Sequence, residues 1–143
     1  MMLTLDQIQT LLQQKIGAPL ARREQTLTWC ASAADGFDVV LTQTTKKLIL
    51  SYGEWSDWYL PDNAQMAAQD FLQGLSDQVR VVVTSRGGVD YQWRLESWVE
   101  GEWMWGSTVM VPNLRLWRRK QMRIVQNRLF QGPAPQVETV LED

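Results

Sequence analysis

An α+β domain, with one antiparallel sheet of about six strands and helices packed on one of its faces, follows from three features of the sequence. Apolar residues recur at helical spacing near the start and again after Pro61. Two blocks rich in β-branched and aromatic residues, each cut by turn residues, follow these two segments. A last helical-period segment comes after Pro112, giving the order α-β-β-β-α-β-β-β-α.

The first helix is expected over Leu5 to Ile16. Thr4 and Gln7 stand at capping-box spacing, and Leu5, Ile8, Leu11, Leu12 and Ile16 form one apolar face. Gly17 supplies a left-handed C-terminal position and Pro19 prevents continuation. Strands are expected over Thr26–Ala31, Phe37–Thr42 and Lys47–Tyr52, with a hairpin turn at Asp35-Gly36. Asp62 is expected to cap a second helix ending near Leu75, with Ala64, Ala67, Ala68, Phe71, Leu72 and Leu75 as its stripe.

Strands then return over Val79–Ser85, Val89–Val99 and Trp103–Val111, where Pro112 ends the ladder. A third helix is expected over Asn113–Phe130. Leu114, Trp117, Met122, Ile124, Val125 and Leu129 share one arc, with Arg115, Arg119, Lys120 and Arg123 opposite. Leu116 and Phe130 fall off that stripe. Residues 1–132 read as one domain and 133–143 as a flexible acidic tail. Gly-Glu-Trp recurs at Gly53 and Gly101, a hint that a helix-plus-three-strand unit is used twice.

Composition narrows the function classes. A chain of 143 residues buries roughly 68–70% of its unfolded surface and needs no staple. One cysteine excludes an internal disulfide, and its place beside Trp29 suggests an inert core thiol. The amphipathic start lacks a basic n-region, and no apolar run reaches the ~18 residues of a span, so a soluble cytoplasmic protein is expected. The chain has no histidine, which removes imidazole bases and imidazole metal ligands. No phosphate-cradling glycine loop, paired-cysteine or calcium-loop motif is present, and neither metal nor cofactor is expected.

What remains is aromatic surface and segregated charge. Five of eight tryptophans lie between Trp93 and Trp117. Strand alternation assigns Trp93, Trp103 and Trp105 to the core and leaves Trp98 among charged neighbours, as an exposed contact or dimer anchor. Trp55 and Trp58, read as loop residues, are expected to cover the core or rim a pocket. The net charge of −2 includes +6 between Asn113 and Gln131, which leaves −8 for the remainder. The simplest reading of those cations is a solvated helix face. Docking of an acidic peptide or protein ranks second, and nucleic acid third, because the remainder repels a polyanion.

In element order, length and acidity the chain resembles the type III secretion chaperones, small acidic α+β binding proteins that are often dimeric. Its tryptophan density, sixth strand and arginine-rich last segment depart from that pattern. The sequence therefore points to a non-enzymatic protein-interaction module of adaptor, chaperone-like or immunity type. Trp98, Arg115, Arg119, Lys120 and Arg123 are its candidate partner-binding residues, and a homodimer is compatible with the reading. The alternatives are a small-ligand binder or carboxylate-based enzyme with an aromatic-lined pocket, then nucleic-acid binding.

Overall fold

In the computed structural model, which describes residues 3–137, helix α1 spans Leu5–Ile16 and is capped at both ends as expected. The Thr4 hydroxyl accepts from the Gln7 N–H (3.2 Å) and the Gln7 side chain accepts from the Thr4 N–H (2.8 Å). Gly17 closes the helix at φ 79°, a left-handed conformation that glycine adopts without steric cost. Leu5, Ile8 and Leu12 are buried.

Five strands follow: β1 (Ala21–Arg23), β2 (Thr26–Trp29), β3 (Val39–Gln43), β4 (Leu48–Tyr52) and β5 (Trp55–Tyr59). They form an antiparallel meander in sequence order. Leu27, Val39, Leu41, Leu48, Leu50, Tyr52 and Trp55 alternate onto its buried face. The expected Asp35-Gly36 hairpin is instead a longer connection, in which the Asp38 carboxylate accepts from the Ala31 N–H at 2.8 Å. Cys30 opens that connection and is exposed, so it is not a core thiol. A 3-10 turn over Pro61–Asn63 leads into α2 (Ala64–Gln73), and no Asp62 side-chain cap forms. Ala64, Ala67, Ala68, Phe71 and Leu72 bury the expected stripe.

The second half departs further from expectation. Strands β6 (Val79–Arg86), β7 (Val89–Val99) and β8 (Glu102–Met110) are joined by β9 (Lys120–Val125), giving a separate four-stranded sheet in the order β8-β7-β6-β9. One six-stranded sheet is thus replaced by antiparallel sheets of five and four strands. The third helix is absent: residues 111–119 cross from one sheet edge to the other, and β9 pairs with β6 from Val81 to Arg86. Met122 and Ile124 stand two apart, so they fit a strand face as well as a helical arc, and the open β6 edge decides between them. The two halves also differ in connectivity, one a meander and one with a crossover, so the inferred repeat does not hold.

One core serves all layers, uniting α1, α2, the inner face of the first sheet and Val79, Val81 and Val83 of β6. Phe130, off the helical stripe, packs against this core and bridges to Ser76. Ala134 and Val137 join it, and Gln69 bonds Pro135 and Val137. The rest of the expected acidic tail, residues 138–143, lies outside the described residues.

Between α2 and β5, burial lifts the Asp70 carboxyl above its usual range, although the Tyr59 hydroxyl donating to it (2.6 Å) pulls the other way. The Tyr52 hydroxyl donates to the Asp70 carbonyl. A raised folded-state pKa means that the native state holds this proton more tightly than the unfolded chain. Asp70 therefore costs nothing below the unfolded value and costs more as pH rises through the folded one. Asp70→Asn should remove that cost. Its stability gain over wild type, read by urea unfolding, should be larger at pH 7 than at pH 3; a gain of equal size at both would contradict the assignment.

Candidate interaction surface

The second sheet has one face in the core and one that no helix covers among the described residues. Register defines the outer face: Arg80, Val82, Thr84 and Arg86 on β6; Gln92, Arg94, Glu96 and Trp98 on β7; Trp103, Trp105, Thr108 and Met110 on β8; Lys120, Met122 and Ile124 on β9. Among the described residues, thirteen of the sixteen exposed large apolar side chains fall between Val89 and Leu129. The outer face of the first sheet carries Thr26, Thr28, Thr42, Ser51 and Ser56 with half-buried Val40 and Ile49, and Trp58 is its main exposed ring.

Trp103 and Trp105 stand on this outer face rather than in the core, and a bulge explains why. Arg94 pairs with Thr108 and Glu96 with Trp105, so Leu95 alone faces the two residues Gly106 and Ser107. The extra residue reverses the alternation of β8. Val109 stays on the core side, whereas Trp105 is 74% exposed. Gly106 packs beside β7, where a Cβ would make ordinary contact with Leu95, 3.4 Å from its carbonyl oxygen. Ser107 is pinned from the first sheet by the Trp55 indole N–H, which donates to its carbonyl and hydroxyl, each at 3.2 Å. Trp93 packs against the core as expected.

The centre of the face is a salt-bridged lattice. Glu96, 3% exposed, accepts from Arg80 Nε at 2.7 Å and from Arg94 Nε and Nη2 at 3.1 and 2.9 Å. Each guanidinium also stacks on a ring: Arg80 lies 4.0 Å from the Trp103 centroid and Arg94 lies 4.2 Å from that of Trp105. Trp98 meets Trp103 edge-on at 5.3 Å. One carboxylate thus holds two arginines, and each arginine braces a tryptophan. Val82 lies beside this lattice at 6% exposure, while Met110, Met122 and Ile124 remain open to solvent.

Free cations gather at the other end. Arg86 donates to the Leu116 carbonyl and the Tyr91 hydroxyl, both at 3.2 Å. With Lys120 it holds the Tyr91 hydroxyl below the usual phenol range. Arg115 donates to the Gly87 carbonyl at 3.2 Å. Among the described residues, Arg86, Arg115, Arg118, Arg119 and Lys120 meet no carboxylate. Leu114, Leu116 and Trp117 project beside them, all strongly exposed, so the apolar arc expected of a third helix is not buried here.

Of the residues singled out by sequence, Trp98 and Lys120 share the outer face, and Arg115 and Arg119 lie on the crossover at its end. Arg123 points to the opposite side, where it grips Asp90 through two bonds of 2.7 Å and keeps that carboxyl below its usual range. Arg80, Arg94 and Glu96 carry no strong signal in the sequence, because the contacts that matter link three strands. Only the alternation of Arg94 and Glu96 with Trp98 hinted at them.

A second concavity of about 390 Å³ is lined by Tyr52, Trp55, Asp57, Tyr59, Asp70 and Ser107. Trp55 lies on β5 rather than in a loop and is buried by stacking on Tyr52 at 4.9 Å. Among the described residues, no group of three potential metal-ligating side chains is present, and no helix is long and apolar enough to cross a membrane. Comparison of the chain with family models, curated proteins and solved structures gives no match.

Proposed function

We propose that this protein is a non-enzymatic protein-interaction module whose binding surface is the outer face of the second sheet. The observation that carries the reading is the concentration of exposed tryptophan, methionine and arginine on that uncovered face. Tryptophan and arginine dominate interface hot spots, and methionine adapts to irregular partners. The lattice around Glu96 fixes both arginines and both rings before any encounter, so little side-chain entropy remains to be lost on binding.

The alternative, a ligand pocket with carboxylate chemistry, has weaker support. The cavity beside Asp70 is near the small end of the range for ligand sites, roughly 300–1,000 Å³, and Asp70 is engaged by Tyr59. The test is affinity capture from cells that express the protein, comparing wild type with Trp105→Ala/Met122→Asp and with Trp58→Ala on the other sheet. Loss of a bound protein only in the first variant, with thermal stability unchanged, is the expected result. Retention by that variant and loss by Trp58→Ala would contradict the reading.

A further inference from the structure

The outer face is polar along its length, and that polarity identifies its occupant. Six residue steps along β6 separate Arg80, which stacks on Trp103, from Arg86 at the cationic end; at ~3.3 Å per step this is ~20 Å. Glu100 and Glu102 stand at the tryptophan end, and the five cations that meet no carboxylate among the described residues stand at the other. Between them, on the β6–β9 side, lies an apolar patch of Val82, Met122 and Ile124, with Met110 on the opposite edge beyond Thr84 and Gln92. The sheet is four strands wide, about 14 Å from the first axis to the last. That is room for a single helix, whose diameter with side chains is ~10–12 Å.

From this geometry, and resting on the protein-binding reading above, we infer that the face takes an acidic amphipathic helix of a partner protein, its apolar stripe on Val82, Met122 and Ile124 and its carboxylates on Arg86, Arg115, Arg118, Arg119 and Lys120. The helix supplies the layer this sheet lacks, since a sheet face with apolar residues is normally buried under another element. Leu114, Leu116 and Trp117 close over its acidic end as anchors beside the cations.

Two other occupants fit less well. Face-to-face pairing of two copies opposes seven cations and only two carboxylates on each face, counting the crossover and the β7–β8 turn, so like charge is buried against like. A single-stranded nucleic acid needs cations interleaved with bare ring faces. Here Arg80 and Arg94 already cover one face of Trp103 and Trp105, and the free cations at the far end have only Trp117 beside them, a single platform rather than a stacking row.

The experiment uses the full chain and three fluorescein-labelled probes. One is a designed leucine–glutamate amphipathic helix of about 16 residues, one its leucine–lysine counterpart, and one an oligothymidylate of about 12 nucleotides. Anisotropy should show the glutamate helix bound about tenfold or more tighter than the lysine helix. Arg118→Glu/Arg119→Glu should weaken the glutamate helix about tenfold, and Trp117→Ala should weaken it too, with thermal stability kept in both. Preference for the lysine helix or the oligonucleotide overturns the inference, as does no binding of any probe. So does sedimentation showing a dimer that Met122→Asp dissociates. Should the probes fail while capture still depends on Trp105 and Met122, the interaction surface stands and only the acidic helix is refuted.

Discussion

Replacing Asn127 by alanine is expected to lower the unfolding free energy by about 3–4 kcal/mol, a large share of the ~5–15 kcal/mol typical of a domain. Asn127 is 4% exposed and ties three separate segments. Its Oδ1 accepts from the Phe37 N–H at 3.2 Å, and its Nδ2 donates to the carbonyls of Phe37 (2.9 Å) and Gly74 (3.0 Å). Alanine would leave one N–H and two carbonyls without partners in a place water does not reach. Urea unfolding should show a lower midpoint at unchanged slope. A loss under about 1 kcal/mol would mean that the surrounding segments relax to satisfy these groups elsewhere.

Glu96→Ala should cost about 3 kcal/mol, the low end of what breaking a buried ion pair costs. Removing the carboxylate leaves two guanidiniums side by side, each about a fifth exposed (22% and 19%) and each held against a tryptophan. Partial access to water keeps the penalty at the low end. Glu96→Gln should lose less, because the amide oxygen still accepts from one arginine. Tryptophan fluorescence should change with the first substitution as Arg80 and Arg94 leave the rings. An alanine variant as stable as wild type would show that the lattice only decorates the surface.

Much of the fold was legible where the determinant was local. The capping box of Thr4 and Gln7, the stripe of α2 and the runs forming β6, β7 and β8 all carry their own signal, and all three regions form as expected. What escaped was decided at a distance. The segment from Lys120 to Val125 has an apolar spacing that fits two periods, and only the open edge of β6 selects the strand. The division into two sheets is equally non-local. For the candidate surface, Trp98 was legible from its charged strand neighbours, whereas Trp103 and Trp105 were misplaced because strict alternation does not reveal the bulge at Gly106-Ser107. Arg115, Arg119 and Lys120 were recognised as a basic cluster, and the fold sets them at the end of the same face. Arg123 left that cluster because β9 turns it toward Asp90.

The outer face of the second sheet is proposed to hold a protein partner. Site-specific photocrosslinking in cells that express the protein tests it most directly, with a benzophenone amino acid placed at position 105, 110 or 122 and, as control, at position 28 or 58 of the first sheet. Discrete adducts from the first three positions and none from the last two are the predicted result. Adducts from the first sheet alone, or none from any position, would contradict it.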